Sequence, residues 1–465
     1  MLPRGLKRGL RRGLRIDHAL IVAVLFVPVW VVAQQPAPSG ISAPSAPNAA
    51  LPSPQLPQIE RARLGGLQLR DAQTLLTDFN RDVRVARRTV EAVQADVLTA
   101  GARANPTLGF GVSAINPSAG IGAGTLRDKT IDSFVRMDQL IERGGKRDLR
   151  IGTAKNLAQA AQADLDEVLR QQRLFLTSAY FDLVLAQDRL VVTKENVELF
   201  KRTIGAAEQR LKAGDIANAD LTRIRVDALR AENDSRVAEA DQVRARLAVA
   251  TLMGIEVEAP YIRAADAWPA RPVPRDAEID TLVDKRPDVY AARARVDAAI
   301  SARELARRLR TRDVSVGAQF DHYPANATNG LGSGNSFGMS VSIPLFWRYG
   351  FEGEIRRAEA DYSSNLENLE RVRGQARSEL LRARDDLRSA TERLQRFDES
   401  LLVEAKRSAD FAEFAYRNGA IGVMDLLDAR RVLRATQLDA LLVRGEHAKA
   451  LAAWQAAIDD PNETR

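Results

Sequence analysis

The sequence predicts a mainly α protein of very long coiled-coil helices, duplicated in tandem, with four short β-strands per chain. Three observations carry this. Apolar residues keep heptad spacing over 169–211 and 376–415, within two long helical stretches of about 146–212 and 351–418. Four short segments alternate apolar with polar residues. Finally, "KAGDIANADLTRIRV" (212–226) returns as "RNGAIGVMDLLDARR" (417–431). Gly214, Ile216, Asp220, Leu221 and Arg225 recur as Gly419, Ile421, Asp425, Leu426 and Arg430, all at one offset of 205.

In chain order, residues 1–33 read as a signal peptide. Arg4, Lys7, Arg8, Arg11, Arg12 and Arg15 precede the apolar run "ALIVAVLFVPVWVVA" (19–33), which ends on small residues at Ala33. That run is shorter than the roughly 20 residues a spanning helix needs. Most of the net charge of +7 sits in this segment, so the remainder is nearly balanced and gives no electrostatic basis for nucleic-acid binding. Residues 34–63 form a Pro-rich disordered tether with almost nothing to bury, and the ordered chain is expected to begin near Leu64.

The first repeat, 64–253, holds a helix (about 71–103), strands about 107–116 and 130–141, and the long helix about 146–212. The break at Gly214 and a helix to about Met253 complete it. A connector, 254–280, carries Trp268, Pro269, Pro272 and Pro274. The second repeat, 281–458, opens with "RPDVYAARARV", where Pro287 suits a first helical turn. Strands about 313–323 and 335–346, the long helix about 351–418, the Gly419 break and a closing helix follow, then a tail 459–465.

Strand periodicity is clearest in the second repeat. Val314, Val316, Ala318 and Phe320 share one face, as do Phe337, Met339, Val341, Ile343 and Leu345. Leu108, Phe110, Val112 and Ala114 repeat the pattern, whereas in 131–140 Phe134 falls on the polar side. The first long seam runs Leu169, Gln172, Leu176, Ala179, Leu183, Ala186, Leu190, Thr193, Val197, Phe200, Ile204, Ala207, Leu211. The second runs Ala376, Leu380, Ala383, Leu387, Ala390, Leu394, Phe397, Leu401, Glu404, Ser408, Phe411, Ala415.

A helix over 146–212 is roughly 100 Å long, so its seam needs equally long neighbours. The shorter helices on either side of it, stacked end to end, match that length. Four strands alone leave two unpaired edges and an uncovered apolar face. Closure through several copies removes both problems, with apolar side chains toward lipid and Ser, Gly and Asp toward a wet interior. Phe346 and Trp347, at the end of the last strand, suit an interfacial aromatic girdle. The residues alone leave a second reading open: a soluble periplasmic coiled-coil structural or adaptor protein.

Other classes find little support. There is no cysteine, hence no disulfide framework and no thiolate metal site. Only His322 and His447 lie beyond the signal segment, and no Ser/His/Asp or Cys/His constellation occurs, so no enzyme, cofactor or resident metal is expected. "GIGAG" (120–124) and "GGKR" (144–147) lack the context of nucleotide-binding loops.

The layout, together with "RPDV", "IPLF" and the paired glycine-to-aspartate signatures, resembles the TolC-type outer-membrane efflux factor family over nearly all of 64–458. "QLIERGGKRDLR" (139–150) is similar to the branch serving heavy-metal cation efflux of the cobalt–zinc–cadmium type. The resemblance implies a homotrimer with a 12-stranded transmembrane β-barrel in outer-membrane lipid and an α-helical tunnel through the periplasm. It implies docking to a periplasmic adaptor (membrane-fusion) protein and an inner-membrane pump of RND type, with passive conduction of solutes such as divalent metal cations. The residues by themselves imply closed assembly, not its number. By the same resemblance Gly214 and Gly419 are turns at the periplasmic tips, and Tyr416, Asp220, Asp425 and Asp428 belong to a gate, the aspartates forming acidic rings. Asp425 and Asp428 equally suit capping a helix start. Ile421 stands where the family's type member has a gate-locking arginine.

Overall fold

The computed structural model describes residues 61–113, 131–271, 279–323 and 334–458. The signal segment, most of the tether, Ala114, "GIGAG", Pro272, Pro274 and the tail lie outside the described residues. Helices α1 (Arg61–Leu64), α2 (Leu69–Phe79) and α3 (Arg81–Gly101) precede strands β1 (Thr107–Ser113) and β2 (Asp132–Ile141). Then come α4 (Lys146–Ala213), α5 (Asn218–Met253), a 3-10 turn (Glu256–Tyr261), α6 (Ile279–Lys285) and α7 (Pro287–Arg308). Strands β3 (Val314–Tyr323) and β4 (Gly334–Ser342) lead to α8 (Glu352–Arg396), a π turn (Phe397–Leu401), α9 (Leu402–Arg417) and α10 (Val423–Ile458). Among the described residues no helix is long and apolar enough to cross a membrane.

The helices form one layer of four columns. Toward the strands the order is α3, α4, α7, α8; toward the tips it is α5, α4, α10, α9. α4 is thus flanked on both sides along its length. It buries Leu176, Leu183, Ala186, Leu190, Thr193 and Ala207 of the predicted seam, and also Tyr180, Phe181 and Val184 on a second face. Thr193 is tolerated at 2 % exposure because its hydroxyl donates to the Leu190 carbonyl at 3.0 Å. The helix expected over 71–103 is divided at Asn80, whose side chain caps α3 through the Val83 N–H (3.0 Å) and donates to the Leu252 carbonyl (2.8 Å).

Near mid-length the connector wraps the shaft. Leu67 pairs with Ala264 in a short parallel bridge, and the buried Tyr180 hydroxyl lies 2.7 Å from both the Leu67 carbonyl and Asp266. Burial, then Asp266, pushes the Tyr180 phenol well above its ordinary pKa. Trp268 stacks on Phe181 and donates to Asp188 at 2.9 Å.

The second long helix departs from expectation. Its seam is buried from Ala376 through Leu394, but the π turn then advances the pattern by one residue. Beyond it the inward face consists of Leu402, Ala405, Ala409, Ala412 and Tyr416, with Ala409 buried and the others half-buried. The predicted seam residues Leu401 and Phe411 are exposed instead. Arg271 and Arg444 each reach Asp398 at 3.0 Å, and Arg271 reaches Glu399 at 3.2 Å, so the connector and α10 hold the π turn.

The strands form one antiparallel sheet in the order β1-β2-β3-β4, with β1 and β4 as its edges. Leu108, Phe110, Val112, Val135, Met137, Phe337, Met339 and Val341 are exposed on one face. The other carries Arg136, bonded to Asp138 and Ser340, and Gln319, bonded to Asp321. Phe134 lies on this polar face because Gly111 opposite leaves room: a Cβ there would collide with the Phe134 ring. β4, expected to reach 346, ends at Ser342, two residues before Pro344, which has no N–H to give a ladder. Phe346 and Trp347 therefore stand on the connection to α8, Phe346 edge-on to Phe351 (4.9 Å) and Trp347 86 % exposed.

Candidate functional site

Both long columns stop at a left-handed glycine. The Gly214 N–H (φ +83°) donates to Leu211 and that of Asp215 to Arg210; the Gly419 N–H (φ +75°) donates to Tyr416 and that of Ala420 to Ala415. This paired pattern satisfies the last helical carbonyls. A Cβ at either glycine would meet nothing within 4 Å, so backbone conformation alone selects glycine.

The two turns share one apolar cluster. Ala207, Leu221, Ile224, Val423 and Leu427 form its centre, and Tyr416, Phe200, Ile204, Leu211, Ile216 and Met424 pack around it. The Arg210 guanidinium lies 4.5 Å from the centre of the Tyr416 ring. The tip thus joins the first half to the second.

The predicted aspartates take different local roles. Asp425, in the first turn of α10, accepts the Gly422 N–H at 3.2 Å, half of a capping box. Asp428 is exposed and pairs with Arg431 at 2.7 Å; Arg431 also reaches Asp227 on α5 at 3.1 Å. Asp220 lies 3.9 Å from Arg223 in the first turn of α5.

Two pairs escaped the sequence reading. Arg225 binds Glu208 at 2.7 Å, and Arg430 binds Glu413 at 3.2 Å. Glu208 and Glu413 are themselves 205 apart, so the offset that relates the arginines also relates their partners. Each pair ties the restarting helix to the one before the turn. Arg430, then its neighbour Arg417, holds the Glu413 carboxyl below the usual carboxylate range, against the cost of partial burial. Arg430 also touches Thr203 on α4 (3.4 Å), and Arg434 binds Asp234 on α5 (2.8 Å), linking the halves.

Between α4, α9 and α10 lies a groove of about 640 Å³ lined by Lys194, Glu198, Arg202, Asp410, Glu413 and Arg434. Its charges are mixed. Among the described residues no group of three or more His, Cys, Asp or Glu is placed to hold a metal ion. "QLIERGGKRDLR" is built into the joint between sheet and shaft. Buried Lys146 binds Asp313 (2.9 Å) and the Thr311 carbonyl (2.8 Å), and Arg150 binds Glu142.

The outer membrane efflux protein family model matches residues 75–255 and 279–458, the two halves in turn. The chain is 27 % identical to the cobalt-zinc-cadmium resistance protein CzcC of Cupriavidus metallidurans, over 84 % of this chain and 90 % of that protein. It is similar in fold to crystal structures of CusC (TM-score 0.70, 17 % identity, 87 % of this chain and 95 % of that one). The outer-membrane channel OprN is similar too (TM-score 0.69, 23 % identity, 84 % and 90 % covered). With that family model matching most of its length, and with a fold shared with such channels, the chain belongs to the outer membrane efflux protein family.

Proposed function

We propose that three copies of this chain close into an outer-membrane duct that passes divalent metal cations, delivered by an inner-membrane pump of RND type through a periplasmic adaptor. The observation that carries the closed assembly is that both edges of the layer are unfinished. Among the described residues nothing pairs with the outer edges of β1 and β4 or covers the apolar sheet face. α5 is prepared for a neighbour on each side. Its buried seam (Leu221, Ile224, Ala231, Ser235, Ala238) and its exposed apolar stripe (Val226, Leu229, Val237, Val243, Leu247) differ in direction by about 150° at 3.6 residues per turn. Neighbours at such an angle suit a closed ring of columns, and the number three rests on the likeness in fold to CusC and OprN.

In this reading Phe346 and Trp347 sit at the membrane interface, and Asp220, Asp425 and Asp428 form acidic rings at the periplasmic mouth. Helix capping by Asp425 is compatible with such a ring. Tyr416 and Arg210 pack the closed tip. With Ile421 in the turn, closure relies on that packing and on the Arg431–Asp227 and Arg434–Asp234 links. The metal assignment draws on the likeness to CzcC and on the 139–150 segment.

The test is deletion of the gene, followed by growth on a panel of cobalt, zinc, cadmium and unrelated drugs. Sensitivity confined to the metals, reversed by the intact gene, is the expected result. Sensitivity confined to the drugs would reject the metal assignment.

A further inference from the structure

We propose that Phe411 and Phe414 of α9 anchor a heterologous contact with the Val226 and Leu229 stripe on α5 of a second copy of this chain. The proposal rests on the reading of the assembly as a closed ring. In the tip-side half of the layer α4 and α10 have neighbours on both sides, whereas α5 packs on α4 and α9 on α10. The two edge helices present bare apolar surface: Phe411 is 71 % exposed, Phe414 70 % and Leu229 65 %.

The duplication supplies an internal comparison. At the offset of 205, Phe411 and Phe414 correspond to Ala206 and Gln209 on α4. Val226 and Leu229 correspond to Arg431 and Arg434 on α10. Those arginines bind Asp227 and Asp234 within the chain. Large apolar residues therefore stand at these positions only in the copy of each helix that lies at an edge.

The π turn explains how α9 presents them. Continued without it, the seam from Ala376 would carry Phe411 toward α10. The one-residue advance puts Ala409 and Ala412 there instead and turns Phe411 and Phe414 away. Heights also correspond. Phe411 and Phe414 lie about 9 and 5 Å of helical rise before the end of α9, and Val226 and Leu229 about 12 and 17 Å past the start of α5. Both ends meet in the shared tip cluster, so Phe411 and Val226 stand at nearly one level. A contact between two different surfaces repeats head to tail and closes when the rotation fits.

The chain has no cysteine, so a Val226→Cys/Phe411→Cys double variant carries only the two thiols of interest. The detergent-extracted full chain would be treated with a short bifunctional maleimide and run on denaturing gels, with native mass measured in parallel. Most of the double variant should run as linked dimers and trimers, and either single variant as monomer. Pairing Phe411→Cys with Val243→Cys, about 25 Å beyond Val226 along α5, should give no such ladder. A trimer by native mass that gives no ladder, or links only within one chain, overturns the contact and leaves the ring standing. A monomer by native mass overturns both. If the first double variant fails to assemble, Leu229→Cys/Phe411→Cys puts the same question one turn further along, judged the same way.

Discussion

Gly419 and Gly214 do the same task by the same means. Each ends a long helix in the left-handed region with open space where a side chain would go. Gly419→Ala should therefore lower stability by about 1–2 kcal/mol through backbone strain. Gly374 provides the contrast, since it lies inside α8 with nothing within 4 Å of a Cβ, and Gly374→Ala should raise stability by up to about 1 kcal/mol. Thermal unfolding in detergent, followed by circular dichroism, checks both; shifts of the same sign would contradict the assignment. These glycines were legible because backbone conformation is a local property. Glu208 and Glu413 share the same offset, but an ion pair seventeen residues apart across a turn has no local signature, so nothing drew attention to them. Asp425 and Asp428 look alike in sequence, yet only their surroundings separate a cap from an exposed partner of Arg431.

At the scale of elements, the Glu413–Arg430 pair pins the second turn. Its carboxyl is depressed by Arg430, so its stabilising effect is present above the unfolded carboxylate pKa of about 4.3 and is lost as pH falls through the lower folded value. Glu413→Gln should thus lower the melting temperature at neutral pH, and the gap to the parent should close below about pH 4. A gap that stays constant with pH would contradict this. The heptad seam of α4 was readable from spacing alone. The π turn was not, because Arg271 and Arg444, which hold Asp398, come from the connector and α10. A seam extrapolated through 401, 404, 408, 411 and 415 consequently assigned Phe411 to the wrong side. The last strand failed differently: Ile343 and Leu345 continue the apolar alternation, but Pro344 between them ends the ladder.

For the whole molecule, two duplicated halves form a single layer that is complete in its middle and unfinished at both edges. The interior columns bury apolar residues on two faces, while β1, β4, α5 and α9 offer edges that no other part of the described chain covers. Fold class could be read from periodicity, and duplication from the repeat at an offset of 205, because both depend on many residues at once. The direction of each edge surface could not, since it depends on the π turn and on where strands stop. Native mass and planar-bilayer recording on the same detergent-purified sample test the central claim most directly. The account predicts particles of three chains that insert and conduct; stable single chains without conductance would contradict it.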